Sequence, residues 1–378
     1  MKYTFIAFAY LALFSLGFLD NSRGPVYPEI LNYFQISKAS GGLIFSLSSL
    51  SAFIISLFAK KWLGSFGAIG ASRIALVCHL ISFLIMGLVP PSTIGHLVFL
   101  VASFVFGFGL GILSISLNLI ISESTTVEKR RQVFSGLHSM YGIASLLAPF
   151  IVGRLYSQGI SWQAYFLVLC ALPVIGLVHS LFLKNTYQAQ IEVENNFDFN
   201  KKQQIWISII FAGYISGEIL IASRLVVYLS EVKGISSVVS SEALSLFFLC
   251  LLSGRLFFTF VKVNIDSKKL LIISSAGSSL CLILGIIYYP VFLSISGLAM
   301  SYFFPCAMNL IGEAFPEDIG VVVSKVMMVA GAVLVIMHWS FGILASYLGL
   351  DIAIWLAPLF HIAVLYILQF KCGFLAKN

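Results

Sequence analysis

The sequence predicts an all-α membrane protein with twelve transmembrane helices in two pseudo-symmetric six-helix bundles. Three observations predict it: charge is scarce, long apolar runs recur, and a pattern in the first half returns in the second. Of 378 residues, 60% are hydrophobic and only 10% are charged, with a mean hydropathy of +1.02. A soluble domain is about half apolar and about a quarter charged, so a water-facing surface of this extent would lack ionised side chains. The apolar runs are unbroken, as from Leu97 to Leu119 and from Ile205 to Leu229. A helix needs about 20 residues to cross the hydrocarbon layer, and backbone groups in lipid must be satisfied by a helix or a closed barrel. Barrel strands would alternate in short stretches, and these runs do not.

The first half is expected to hold spans near residues 3–30, 39–60, 73–90, 94–121, 132–155 and 162–183. The first carries Asp20 and Arg23 late in its run, the fourth closes on Asn118-Leu-Ile-Ile-Ser-Glu123, and the fifth contains Pro149. A cleaved signal peptide is the competing reading of the N-terminus. It is rejected because the first run ends in Asp20-Asn-Ser-Arg-Gly-Pro25 with no small-residue cleavage site. A polar stretch follows, with Glu192, Glu194, Asp198, Lys201 and Lys202, and residues 185–204 are read as a cytoplasmic linker. This divides the chain into a bundle at 1–184 and a bundle at 205–378. The second has spans near 205–230, 239–261, 269–289, 291–312, 321–348 and 352–370. Its first span carries Glu218 and Arg224, its second Gly254-Arg255, and its fourth closes on Asn309-Leu-Ile-Gly-Glu313. Asp20 with Arg23 and Glu218 with Arg224 thus occupy equivalent places in the two halves, as do Asn118 and Asn309. Six spans plus six with such a repeat is an architecture of secondary transporters.

Lysine and arginine fall unevenly between alternate loops, which sets orientation. One side collects Lys2, Lys60, Lys61, Arg73, Lys129, Arg130, Arg131, Lys184, Lys201, Lys202, Lys262, Lys268, Lys269, Lys325, Lys371 and Lys377. The other has little beyond Arg23, Lys38, Arg154 and Lys233. Both termini are therefore expected to be cytoplasmic. The net charge of +7 is spread over these short clusters, not gathered in the continuous footprint that nucleic acid requires. Cys78, Cys170, Cys250, Cys281, Cys306 and Cys372 form no CxxC pair and mostly lie in apolar runs, as small core residues do. There is no GxSxG elbow, Walker motif, HExxH or metal-spaced Cys/His set. An enzyme, a cofactor and a metal site are not expected.

Several motifs carry a family resemblance. Tyr214-Ile-Ser-Gly217-Glu218 is followed by Tyr228-Leu229 and Gly234, then by Gly254-Arg255-Leu256, Phe304-Pro305 and Glu313-Ala-Phe-Pro316-Glu317. The first half has Asp20 eight residues before Pro28, then Arg131, Gly136-Leu-His138, Tyr141-Gly142 and Ala148-Pro149. These resemble the major facilitator superfamily, and within it the fucose permease-like sugar:proton symporter branch. Three departures accompany the resemblance. Leu63-Gly-Ser-Phe-Gly-Ala68 lacks the Asp-Arg pair usual between spans two and three, Val261–Asp266 is a weak equivalent, and Arg224 stands where the branch more often has an aromatic residue. The resemblance implies alternating access by rocking of two halves, driven by an ion gradient. It implies proton-coupled uptake of a small polar solute such as a sugar. The alternatives are proton-exchange efflux of a drug or siderophore-like metabolite, and a non-transporting membrane receptor. The partners expected are a small-molecule solute, protons and the lipid bilayer, without nucleic acid, for a monomer in a bacterial inner membrane.

Candidate site residues follow from the cost of polar groups in lipid. An ionised Asp costs about 2.5–3.5 kcal/mol at a helix centre on insertion scales, so it must face a cavity or pair with a base. Asp20 and Glu218 are the proton-coupling candidates, since coupling needs a carboxyl that binds and releases a proton. Asp20 and Arg23 share a helix face at i, i+3, whereas Arg224 is six residues from Glu218 and needs a partner on another helix. For Asp20 an outer-interface position paired with Arg23 is the competing reading. Arg23 and Arg224 can bind an anionic or hydroxyl-rich solute or snorkel to the interface. Asn118 and Asn309 can contact solute or bond neighbouring helices. His138 and His338 are candidates beside the commoner role of a core histidine, and Tyr27, Tyr141, Tyr214 and Trp339 can stack on a sugar face or simply pack. Arg255, nearer the cytoplasmic side, is read as a gating or a structural charge, with the structural reading favoured.

Overall fold

A computed structural model describes residues 2–183, 202–260, 265–315 and 319–371. Most of the expected linker, the loop at 261–264, Pro316, Glu317, Cys372 and Lys377 lie outside them, as do the side chains of Arg131 and Glu313. The described residues contain twelve segments long and apolar enough to cross a bilayer. The chain is an integral membrane protein. It divides into two compact units, Met1–Val193 and Glu194–Asn378.

The first unit holds α1 (Tyr3–Phe34), α2 (Lys38–Leu57), α3 (Ala59–Leu88), α4 (Thr93–Ser124), α5 (Val127–Ser157), α6 (Trp162–Leu169) and α7 (Ala171–Leu181). Helices α6 and α7 together make the sixth span. Serine side chains start three of these helices by accepting from backbone N–H groups: Ser37 from Ser40, Ser92 from Gly95 and Ser161 from Ala164. Each satisfies a donor that the first helical turn leaves open. Pro25 and Pro28 lie inside α1 and Pro149 inside α5, and each removes one donor from the ladder. At the far end of α7, Arg73 from α3 donates to the carbonyls of Ser180 and Leu183 and to Ser180 Oγ. A cation suits a helix C-terminus, where carbonyls are open.

One expectation about this unit is corrected. The third span was placed at 73–90, with 61–72 as a connecting loop. The chain is helical from Ala59, and only Gly67 interrupts it, at φ 64° and ψ 173°. That conformation is essentially restricted to glycine. The stretch Leu63–Ala68 therefore forms a helix break, which hydropathy counting does not see.

The second unit holds α8 (Lys202–Glu231), α9 (Ser237–Phe260), α10 (Ser267–Ile287), α11 (Val291–Met300), α12 (Phe303–Ala314), α13 (Ile319–Tyr347), α14 (Leu350–Ala353) and α15 (Leu356–Phe370). The tenth span is α11 plus the first part of α12, and the twelfth is α14 plus α15. Gly234, at φ 65°, turns the chain between α8 and α9 in the left-handed region that glycine enters freely. Lys233 beside it donates to Ile286 O at 2.8 Å, closing the end of α10.

Helix pairing repeats between the units. In the first, α1 packs on α5, α3 on α4, α2 on α4 and α3 on α6. In the second, α8 packs on α13, α10 on α11, α9 on α11 and α10 on α15. Counted by span, these are the same pairs. Lys325, counted above among the loop charges, is 3% exposed and donates to Gln204 Oε1 at 3.4 Å. It belongs to the packing of α13 on α8, because a long stem allows an ammonium to bond a neighbouring helix as readily as to reach water.

Candidate functional site

In the first unit the polar cluster is built around the middle of α1. Arg23 pairs with Asp20 one turn earlier on the same helix. Its other terminal nitrogen donates to Ser48 Oγ of α2 at 2.8 Å. The guanidinium carbon lies 4.1 Å from the Phe106 ring of α4 and 5.4 Å from the Phe45 ring of α2, within the range of cation–π attraction. Asp20 Oδ2 accepts from the Tyr141 hydroxyl of α5 at 2.8 Å. Next along α1, Asn21 donates to Gly17 O and Ser145 Oγ, and Ser22 bonds the Tyr165 hydroxyl. Arg23 is 5% exposed and Asp20 22%. This is a buried ion pair whose two carboxylate oxygens each have a donor, the condition under which such a pair is tolerated away from water.

In the second unit the cluster is built around the middle of α8. The Tyr214 hydroxyl, one turn before Glu218, donates to Glu218 Oε2. It also lies 2.8 Å from the Met300 carbonyl, at the end of α11. Glu218 Oε1 accepts from Arg255 Nη2 of α9 at 3.2 Å. The Tyr214 ring stacks face to face on Phe303 of α12, with centroids 3.9 Å apart. The His361 ring of α15 meets it at 74° and 5.8 Å. A Cβ on Gly217 would lie 2.5 Å from His361 Nε2 and one on Gly254 would lie 1.9 Å from Ser301 Oγ. The two glycines let α15 and the α11–α12 junction close on this point.

The other candidates are placed more simply. Asn118 donates to Ser114 O within α4, at 2.6 Å, and Asn309 donates to Ser267 Oγ of α10, at 2.9 Å. Asn309 and His138 are exposed and Asn118 is half-buried. Arg224 is fully buried, with its guanidinium carbon 5.2 Å from the Phe341 ring of α13. Tyr27 and His338 are buried and Trp339 is exposed. Asp20 lies well inside a helix that runs on to Phe34, so the end of the run near Arg23 is not the end of the helix.

Three residues were missed. Arg255, read above as a gating or structural charge, was not named as the counter-charge of Glu218, with which it pairs. The signal available was that Glu218 has no base three or four residues away on α8, so a buried carboxylate had to find one on another helix. His361 was not considered, although neither of its ring nitrogens has a hydrogen-bond partner and the ring is fully buried against Tyr214. His79 is likewise fully buried, stacked 4.8 Å from the Phe106 ring that holds Arg23. Nothing in the local sequence separates these histidines from His138 or His338.

Among the described residues, twelve apolar spans in two repeated bundles, each with a charge cluster at the middle of its first helix, define a polytopic membrane protein. Residues 9–256 match the family described as Major Facilitator Superfamily, and the chain belongs to that family. Among curated relatives, it is 23% identical over 276 residues to Bypass of stop codon protein 6 of Saccharomyces cerevisiae, covering 65% of this chain and 54% of that protein. It is 28% identical over 182 residues to the Uncharacterized transporter y4wD of Sinorhizobium fredii, covering 48% and 46%. The chain thus spans about half the length of these two relatives. A solved D-xylose-proton symporter superposes with a TM-score of 0.79 over 97% of both chains at 15% identity, which shows a shared fold.

Proposed function

We propose that this chain is a secondary active transporter that couples uptake of a small polar solute, such as a sugar, to a proton by alternating access. The observation that carries the reading is Glu218, held at the middle of an apolar span by Arg255 and Tyr214. A carboxyl there changes its charge when it takes a proton, and charge is what the bilayer penalises. Protonation therefore alters the relative cost of the conformations that expose the group to either side. The solved symporter of the same fold is named for D-xylose and protons, which supports the choice of solute class. Of the two carboxylates, Glu218 fits the proton carrier better. Asp20 has its arginine one turn away on its own helix, whereas the arginine of Glu218 comes from α9, a pairing that relative movement of two helices can change.

Arg23, Tyr141 and Tyr214 are engaged in these clusters, so first contact with solute falls to the more accessible Asn118, His138 and Asn309. The deeply buried Arg224 would join only if packing around it opens. The distribution of lysine and arginine supports cytoplasmic termini, and a bacterial inner membrane is the location proposed with them.

The test uses proteoliposomes with a pH dye trapped inside and sugars, organic acids or cationic drugs added outside. Acidification on adding one solute is expected and names its class. Alkalinisation would overturn uptake in favour of proton-exchange efflux, and binding without any flux would point to a receptor. Glu218→Gln should abolish solute-driven proton movement while solute binding persists. Unchanged proton movement would remove Glu218 from the mechanism.

A further inference from the structure

Tyr214 has one hydroxyl proton and two acceptors. Its oxygen is in hydrogen-bond contact with Glu218 Oε2 and lies 2.8 Å from Met300 O. A backbone carbonyl has no proton to give, and a phenol O–H donates to one acceptor well. If Glu218 is ionised, only one of the two contacts can be a hydrogen bond. If Glu218 carries a proton on Oε2, both can form together: the carboxyl donates to Tyr214 Oη, and the Tyr214 O–H donates to Met300 O. The number of protons in the cluster therefore decides whether the Met300 carbonyl has this donor.

Met300 is not an arbitrary position. It is the last residue of α11, and the tenth span is interrupted between Met300 and Phe303. A helix end leaves carbonyls without intrahelical donors, so an outside donor there bears on whether the break is held. The neighbours of the break belong to the same cluster. Ser301 sits against Gly254, one residue from Arg255, and Phe303 carries the stacked Tyr214 ring.

We propose that Tyr214 links the proton on Glu218 to the break in the tenth span. It acts as a positioning residue whose single O–H is given to Met300 when Glu218 is protonated and to Glu218 when it is not. On deprotonation the carboxyl O–H bond breaks, the proton leaves to solvent, and Arg255 compensates the new charge. The phenol keeps its own proton and turns it from the carbonyl to the carboxylate. The break in the tenth span then loses one restraint, and this ties the charge state of α8 to the shape of α11 and α12. The inference rests on the proposed role of Glu218 as the proton carrier.

The described titratable or charged side chains against this pair are Arg255 from α9 and His361 from α15. Helices α11 and α12 supply the Met300 carbonyl and the Phe303 ring. On α8, helix α13 places Phe341 against Arg224 and the Lys325 ammonium against Gln204, each ten residues along the sequence from Tyr214.

Met300-Ser301 is the sole Met-Ser pair among the eight methionines of the sequence. Protein made with carbonyl-13C methionine and 15N serine therefore yields one selectable Met300 carbonyl signal by NMR in lipid. In the wild type this signal is expected to move between two positions as pH rises, because the carbonyl loses a donor. In Glu218→Gln the side-chain amide donates to Tyr214 Oη in place of the protonated carboxyl, so the signal should stay at the acid position at every pH. In Tyr214→Phe it should stay at the unbonded position at every pH. Fixed positions at opposite ends are not what loss of folding produces. A Met300 signal that titrates in Tyr214→Phe as in the wild type would overturn the inference, as would a wild-type signal that does not move. The dye assay keeps the two levels apart: if Glu218→Gln still couples protons to solute, the carrier assignment itself has failed.

Discussion

The two units place an acid, an arginine and a tyrosine at equivalent points, but they assemble the three in opposite ways. In the first, the arginine is local, one turn from Asp20 on α1, and the tyrosine comes from α5. In the second, the tyrosine is local, one turn from Glu218 on α8, and the arginine comes from α9. The consequence is a difference in constraint. Arg23 is 5% exposed and clamped by Ser48, Phe45 and Phe106, whereas Arg255 is 37% exposed. In both clusters each carboxylate oxygen faces a donor, but in the second the one phenol proton is shared between a carboxylate and a backbone carbonyl. On the proposed mechanism, the repeated fold holds one pair fixed within a single helix and one whose bonding changes with a proton.

Breaking the tighter pair should do most damage. Arg23→Ala leaves Asp20 without its counter-charge inside α1 and is expected to destabilise by about 3–5 kcal/mol, as for a buried pair that loses one partner. Thermal unfolding in detergent would measure it. The same change at Arg255 should cost less, since that side chain is more exposed, and equal losses would contradict the contrast. Next comes Tyr141→Phe, which removes a hydrogen bond to a charged group, worth about 1.5–3 kcal/mol. It should lower stability without altering the pH dependence of solute-driven proton flux, and a shifted profile would mean that Asp20 also exchanges protons.

Packing gives the smaller effects. Gly254→Ala drives a Cβ to 1.9 Å from Ser301 Oγ and 2.6 Å from its Cβ, and overpacking of this kind costs about 1–3 kcal/mol. Gly17→Ala, near Asp20, meets Tyr141 Cδ2 at 3.0 Å and Ala144 Cβ at 3.1 Å. There the gain of about 0.5–1 kcal/mol from replacing a helical glycine offsets the tight contact, so the unfolding midpoint should scarcely move. A large loss at Gly17 would show the first unit to be the more rigid around its cluster.

Much of the architecture was legible because the bilayer imposes it on short stretches of chain. Each apolar run had to be a helix, and the repeat of Asn118-Leu-Ile with Asn309-Leu-Ile marked the equivalence of the fourth and tenth spans. The Asp20–Arg23 pair was legible for the same reason, since both residues lie one turn apart on one helix. The partner of Glu218 was not, because Arg255 is 37 positions away and reaches it only through the packing of α9 on α8. The break at Gly67 was missed because hydropathy is blind to φ. The placement of Lys325 was missed because a positive charge near a span end looks the same whether it faces water or a neighbouring helix.

By itself the sequence determined that the chain crosses a membrane repeatedly, in two related halves, with acidic and basic groups kept inside the spans. Those are consequences of composition and of spacing along one helix. The tertiary structure alone decided which base faces Glu218, which tyrosine has two acceptors, and where the tenth span breaks. These depend on contacts between residues far apart in sequence, and such contacts exist only once the helices have packed.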